Sequence, residues 1–108
     1  MRSITQYYRG IGKLNGNKNF KHKGLAKFYE TGSTRGISAD IADKLNDMLT
    51  ALDDAQSIEE VGLFPGWRLH QLKGDLAGQW SMTVTANRRL IFRFEGGVAE
   101  DIDLVDYH

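Results

Sequence analysis

The sequence contains no cysteine, which excludes a disulfide framework and a thiolate metal site and permits a reducing compartment. No apolar run approaches the roughly 20 residues that a membrane-spanning helix needs. The first residues also lack the apolar stretch of a secretory signal. We therefore expect a cytoplasmic protein without a membrane partner. The formal net charge is zero. This argues against a protein that binds nucleic-acid phosphates simply through an overall positive charge.

The composition that remains is that of one folded domain. A chain of 108 residues can bury a core and leaves little room for a second one. Hydrophobic residues make up 41% and charged residues 26% of the chain, which is typical of globular proteins. We expect residues 1–18 to form an N-terminal extension, because three glycines interrupt them and their apolar residues show no period. Residues 19–108 form the predicted domain.

Charge is segregated along the chain. Residues 1–27 carry seven Lys or Arg and no acid, whereas residues 40–60 carry seven acids and the single cation Lys44. Residues 68–93 are again basic, with Asp75 as their only acid. These blocks either form a basic face for a polyanion or cancel where they pack together, and the sequence leaves both open.

The first half of the chain predicts two helices. Leu25, Phe28 and Tyr29 fall at helical spacing, and Gly32 is placed to end that helix. Ser38 is a natural N-cap for a second helix that runs to about residue 55. The core-facing stripe of this helix comprises Ile41, Leu45, Met48, Leu49 and Leu52.

The second half predicts strands, because after Gly66 the apolar period changes from about 3.6 to 2. We predict strands at residues 67–73, 80–85, 90–94 and 98–106. A helical turn at residues 57–61 precedes the only proline, and Glu95-Gly96-Gly97 is a tight-turn pattern. Helices followed by strands give an α+β domain, with two N-terminal helices on one face of an antiparallel sheet of about four strands.

His70 is a candidate for proton transfer. In the predicted strand 67–73 it shares a face with Arg68, and Lys73 lies at the strand end. An imidazole can take and give a proton near pH 7. The alternative is a structural histidine, which is the commoner role for a lone histidine in a strand.

The chain ends in Asp106-Tyr107-His108, a carboxylate, a phenol and an imidazole in succession. Docked beside His70, this segment would complete a pair of imidazoles with a carboxylate to orient one of them. The alternative is a frayed polar tail, because chain termini often fray. We expect no metal, since His70, Asp106 and His108 follow no metal-ligand spacing and their basic neighbours would repel a cation.

Arginines and a lysine on neighbouring strands predict a phosphate site. The set comprises Arg68, Lys73, Arg89 and Arg93. Such cations can hold a scissile phosphate and neutralise charge that develops in a transition state. The alternative is a solvated face whose arginines pair with Asp101 and Asp103.

Four blocks of the chain resemble the HigB-type toxins of the RelE/ParE superfamily. In order, they read FKHKGLAKFYETGSTRGI, WRLHQLKGDLAGQWSMTV, ANRRLIFRFEGG and VDYH. The resemblance runs from Asn19 to His108 without large gaps. Its most specific parts are LHQLKGDLAGQWS and the terminal DYH.

The resemblance implies a RelE-like fold with a curved sheet, and cleavage of mRNA in the ribosomal A site without a metal or cofactor. The family's catalytic residues match His70, Asp106, Tyr107 and His108. Its basic residues around the phosphate match Lys73 and Arg89. Two positions depart from the family pattern, which often has Trp where this chain has Arg88 and Pro where it has Gln71. Arg88 puts the RNA or ribosome contact at that position in doubt.

The resemblance also implies partners: a HigA-type helix-turn-helix antitoxin, mRNA and the 70S ribosome, with operator DNA contacted only through the antitoxin. Two other functions stay open, a ParE-like toxin that inhibits gyrase and a non-catalytic binding module on the same fold. The paired histidines favour the nuclease, because a gyrase inhibitor has no evident need for proton-transfer groups.

Overall fold

The computed structural model describes residues 19–106. The predicted extension at residues 1–18 and the terminal Tyr107 and His108 lie outside the described residues. The helices are α1 (Lys23–Thr31), α2 (Ala42–Asp54) and α3 (Ile58–Val61), and the strands are β1 (His70–Gln71), β2 (Trp80–Thr85), β3 (Arg88–Glu95) and β4 (Val98–Asp106). Single 3-10 turns cover Ala39–Ile41, Pro65–Trp67 and Gly74–Leu76. The predicted α+β class is confirmed.

Helix α1 has the C-terminal end and the buried face that its sequence predicts. The ring of His22 accepts a hydrogen bond from the Leu25 amide at 3.0 Å and so caps the first turn. Gly32 ends the helix in the left-handed conformation, with φ of 80°, which glycine adopts without a Cβ penalty. Leu25, Phe28 and Tyr29 are buried, as the helical spacing indicates.

Helix α2 carries the predicted apolar stripe, and its start is more elaborate than expected. The 3-10 turn Ala39–Ile41 precedes the α-helix, and Ser38 does not cap it through its side chain. The Ser38 hydroxyl instead donates to the carboxylate of Asp40. This hydrogen bond is the largest cause of the lowered pKa of Asp40, and the positive charge of Arg88 adds to it. Every residue of the predicted stripe is buried: Ile41, Leu45, Met48, Leu49 and Leu52.

The four strands form one antiparallel sheet in the order β1-β2-β3-β4. Strands β2 and β4 have the predicted bounds, and Gly96 and Gly97 turn the chain between β3 and β4 with φ of 59° and 79°. The prediction of a strand over residues 67–73 was wrong in extent. Only His70–Gln71 pairs with β2, because Trp67 belongs to a 3-10 turn and Arg68 is left-handed.

Two bulges bend the sheet. The register shifts between Thr83 and Thr85 on β2, and again where Ile91 and Arg93 pair with β4. The second bulge places an extra residue on β4, next to Asp101, which has φ of 52°. Bulges increase the local twist and bend the strand, as a curved sheet requires.

One core lies between the helices and the sheet, and its sheet side is formed by Met82, Val84, Leu90, Phe92, Ala99 and Ile102. Two further contacts hold the helical layer together. The Tyr29 hydroxyl of α1 donates to Asp53 of α2 at 3.0 Å. Gly24 of α1 touches the loop after it, because a Cβ on Gly24 would lie 2.7 Å from the Cα of Gly36. Burial of Tyr29 and its contact with Asp53 raise the pKa of the phenol.

Candidate active site on the outer face of the sheet

His70 stands exposed on the edge strand β1, and its ring is anchored by the backbone. The Nδ1 atom lies 3.0 Å from the carbonyl oxygen of Arg68. A carbonyl can only accept, so Nδ1 carries the hydrogen and donates it. In the neutral ring the lone pair then belongs to Nε2, the atom turned away from this hydrogen bond. The anchor therefore leaves His70 arranged to accept a proton at Nε2.

The carbonyl that anchors His70 depends on an unusual backbone conformation. Arg68 has φ of 52° and ψ of 50°, the left-handed region, and its amide donates to the carbonyl of Pro65 at 3.3 Å. Because Arg68 is outside β1, the predicted sharing of a strand face between its side chain and His70 was wrong. Arg68 contributes its carbonyl oxygen to this site, as the acceptor for Nδ1 of His70.

The sheet register places His70 in a row with residues of the other three strands. His70 pairs with Ser81, Ser81 with Ile91, and Ile91 with Asp103. Residues directly opposite in antiparallel strands share a face. Met82, next to Ser81, points into the core, so this row lies on the face opposite the helices, which we call the outer face.

Two arginines of β3 flank this row on the outer face. Arg89 and Arg93 are each two residues from Ile91, in opposite directions, and so share its face. With strands about 4.8 Å apart and a rise of about 3.4 Å per residue, the Cα atoms of His70 and Arg89 are roughly 12 Å apart. That spacing lets both side chains contact one stretch of a bound chain.

Both arginines also make contacts within the protein. The Nη1 atom of Arg89 donates to the carbonyls of Thr85, Ala86 and Arg88 at 2.7, 3.1 and 3.1 Å, which ties it to the β2–β3 turn. The Nε atom of Arg93 lies 3.3 Å from Asp101, as the alternative of charge pairing anticipated.

Lys73 lies in the loop that joins β1 to β2. The Leu72 amide donates to the carbonyl of Gln79 at 2.9 Å and closes this loop. Lys73 is exposed at its start, three residues after His70. A Cβ on Gly78 would lie 3.2 Å from Nη1 of Arg93, so the same loop passes beside that arginine. Lys73 and Arg93 therefore border the same part of the outer face.

The structure does not bring Asp106 to His70. Asp106 ends β4, the opposite edge strand, and its Oδ1 lies 3.4 Å from Nε of Arg88. The register puts Arg88 and Asp106 on the helix-facing side of the sheet, since both alternate with outer-face residues. Arg88 also lies 3.9 Å from Asp40. Arg88, where the family often has Trp, is thus an ion-pair partner of two carboxylates.

A pocket of about 320 Å³ opens beside this ion pair. Arg35 and His22 line it together with Arg88 and Asp106. No sequence pattern connects these residues, which lie far apart in the chain, from His22 to Asp106. Only the pairing of β3 with β4 and the return of the loop after α1 bring them together.

The fold and the site define a small α+β domain whose sheet carries an exposed histidine among cations. A family model described as a RelE-like toxin of the type II toxin–antitoxin system HigB matches residues 18–108. The chain therefore belongs to the HigB family of RelE-like toxins. A toxin of a type II system has a cognate antitoxin.

Relatives of this chain include two named HigB proteins. The chain is 46% identical over 91 residues to the Endoribonuclease HigB of Proteus vulgaris, covering 84% of this chain and 98% of that one. It is 40% identical over 81 residues to Toxin HigB-1 of Vibrio cholerae serotype O1, covering 74% and 85%. A solved YoeB/ParE toxin from Agrobacterium tumefaciens is 27% identical, with coverages of 66% and 77% and a TM-score of 0.43. Within residues 19–106, no helix has the length and apolar character needed to cross a membrane.

Proposed function

We propose that this toxin is an endoribonuclease that cleaves mRNA in the ribosomal A site, in the cytoplasm. The observation that carries the proposal is the anchored, exposed imidazole of His70 on a face that also bears Arg89, Arg93 and Lys73. The relative named Endoribonuclease HigB, 46% identical over 98% of its own length, supports the same activity. Its antitoxin is proposed to be a helix-turn-helix protein, through which alone the toxin meets operator DNA.

In the proposed reaction the ribose 2′-hydroxyl is the nucleophile. It attacks the adjacent phosphorus in line, so a bond from O2′ to phosphorus forms while the bond from phosphorus to O5′ breaks. The 2′-hydroxyl proton goes to a base, and a proton is delivered to the departing O5′. The products are a 2′,3′-cyclic phosphate and a 5′-hydroxyl. Every step uses side-chain proton transfer, and no metal is assigned a role.

The roles follow from the chemistry of each group. His70 is the proposed proton-transfer residue through Nε2, with His108 as its counterpart. Lys73 and Arg89 are proposed to neutralise charge on the phosphate, as cations positioned on a scissile group do. Tyr107 is proposed to orient or stack on the substrate.

Dependence on the ribosome is proposed from the exposure of the groups that would act on the substrate. His70 and Lys73 are both exposed, at the edge of the sheet and in the loop after it. We infer that groups this exposed do not by themselves hold a nucleotide in an in-line geometry. The decoding site would supply that geometry, since orientation of reactants accounts for a large part of many rate enhancements.

Cleavage mapping in a purified translation system tests the proposal. The native toxin is compared with His70→Ala and with a chain lacking His108, each with and without ribosomes. We expect cuts within codons that require ribosomes, and a loss of about 10²–10⁴-fold in rate for His70→Ala. Gln71→Ala, a neighbouring exposed residue on the same strand, is the matched control and should cut like the native protein.

Two results would overturn parts of the proposal. Unchanged cleavage by His70→Ala would remove His70 from the mechanism and leave the activity intact. A native toxin that cuts nothing while still arresting growth would end the nuclease proposal, and a DNA supercoiling assay would then test the gyrase alternative.

A further inference from the structure

A groove lies on the outer side of α2, on the opposite side of the sheet from His70. One wall is α2 itself, and the other is the segment from Leu63 to Trp67. The rings of Phe64 and Trp67 stack in it with centroids 4.1 Å apart and an interplanar angle of 15°. Its other lining residues come mainly from α2: Asn46, Asp47, Thr50, Ala51, Asp54, Ala55 and Glu60.

The lining of this groove includes exposed apolar side chains. Leu63 is 76% exposed and Phe64 is 44% exposed, and both line the groove together with Ala51 and Ala55. Scattered exposed apolar residues need no explanation, whereas a contiguous patch with a polar rim marks an interaction site. The exposed Phe64, stacked on the half-buried Trp67, is also of the residue type that anchors protein interfaces.

The rim of the groove is acidic. Asp47, Asp54 and Glu60 line it, within the segment 40–60 that has seven acids and the single cation Lys44. A surface of this sign repels nucleic acid and attracts a cationic protein. The acidic rim therefore favours a positively charged protein as the partner.

We propose that the groove between α2 and Leu63–Trp67 is the docking site for a cationic amphipathic helix of the cognate antitoxin. Apolar residues of that helix, at helical spacing, would pack on Phe64, Leu63 and Ala51. Its Lys or Arg residues would meet the acidic rim. This is the helix-in-groove mode of recognition. The proposal rests on the toxin–antitoxin assignment and does not depend on the proposed RNA chemistry.

Titration calorimetry with the purified cognate antitoxin tests the groove. Phe64→Ser removes an aromatic anchor, and Asp54→Lys reverses the charge of the rim. We expect each to weaken binding at least about tenfold, as loss of a central anchor does. Leu76→Ser is the matched apolar control, because Leu76 is 43% exposed and lies outside the groove. Asp75→Lys is the charge control, and both controls should bind within about twofold of the native toxin.

Two outcomes would overturn the docking proposal. One is binding by both groove variants that equals the controls. The other is a native toxin that dimerises alone in sedimentation and becomes monomeric on Phe64→Ser, which would make the groove a self-association surface. Circular dichroism and melting temperature confirm that each variant folds.

Cleavage measured without antitoxin separates this proposal from the proposed function. Asp54→Lys should cut mRNA at the native rate, because Asp54 lies on α2, on the opposite side of the sheet from His70. A native toxin without nuclease activity would end the proposed function and leave the calorimetric result standing.

Discussion

At the scale of single residues, the candidate site depends on a backbone atom as much as on side chains. The carbonyl oxygen of Arg68 fixes the ring of His70, and the left-handed backbone at Arg68 aims that oxygen. A non-glycine residue in this conformation costs roughly 1–2 kcal/mol. Strain of this kind is found where surrounding structure and function require it.

Two substitutions at Arg68 separate its backbone from its side chain. Arg68→Gly and Arg68→Val both remove the guanidinium, but glycine accepts positive φ and the β-branched valine does not. We expect the valine variant to lose the Nδ1 anchor and to cleave mRNA about tenfold more slowly than the glycine variant, equivalent to roughly 1.4 kcal/mol in the barrier. Urea unfolding should show the glycine variant to be the more stable of the two. Equal cleavage rates would mean that the anchor does not matter to the reaction.

At the scale of secondary-structure elements, α1 and the following loop meet through two glycines. A Cβ on Gly24 would overlap the backbone of Gly36, and a Cβ on Gly36 would overlap Gly24. The atoms that each added Cβ would meet are backbone atoms, so no flexible side chain can move aside to make room. This contact sets how the loop returns toward α2.

Gly24→Ala therefore tests packing against helix propensity. Alanine in a helix is favoured over glycine by about 1 kcal/mol, while overpacking a close contact costs about 1–3 kcal/mol. We expect the clash to prevail and the free energy of unfolding to fall, measured by urea denaturation. Gly66→Ala is the control, since no atom lies within 4 Å of its added Cβ, and should change stability by less than about 0.5 kcal/mol. A stabilised Gly24→Ala would show that the loop gives way.

Secondary-structure elements with a repeated apolar pattern were predictable from the sequence, and the shortest strand was not. The stripe of α2 and the alternation in β2 and β3 are repeated several times, so their periods identify both the element and its buried face. Strand β1 has only two residues, too few to show a period. Local hydrogen bonds of the Pro65–Trp67 turn override the apparent alternation from Trp67 onward. The sequence pattern at residues 67–73 therefore predicted a strand that is mostly turn.

The candidate site was predictable only in part, for related reasons. His70 and the cations of β3 could be named from residue type and from the family resemblance. The partner of His70 within the fold is a carbonyl, and a carbonyl has no sequence signature. The pairing of Asp106 with Arg88 depends on sheet register, which the bulges shift by one residue.

At the scale of the whole molecule, the helical layer is held by a buried phenol. Tyr29 donates to Asp53 at 3.0 Å, and burial followed by this carboxylate raises the pKa of Tyr29 above its ordinary value of 10.0. The folded state thus keeps its proton at a pH where the unfolded chain loses it. Stability from this group is complete below about pH 10 and is lost as the pH rises further.

Comparison of the native chain with Tyr29→Phe measures that contribution. Near pH 8 we expect the native chain to be more stable by about 0.5–1.5 kcal/mol, the usual value of one hydrogen bond. Above pH 10 the difference should shrink, because Tyr29 ionises in the unfolded chain and keeps its proton in the folded one. The other ionising groups affect both proteins alike and cancel from the difference. Urea denaturation between pH 8 and pH 11 gives this difference directly, and a constant difference would contradict the assignment.

The segment from Phe64 to His70 also bears on how such a toxin can change partners. Trp67 stacks in the groove, and the next residue supplies the oxygen that holds His70. A substitution at Trp67 that suited a new antitoxin would therefore disturb the residue proposed for catalysis. The opposite wall, at Thr50 and Asp54, belongs to α2 and not to the segment that holds His70. Divergence between paralogous toxin–antitoxin pairs in one genome should accordingly accumulate on α2, where recognition can be rewritten without loss of toxicity.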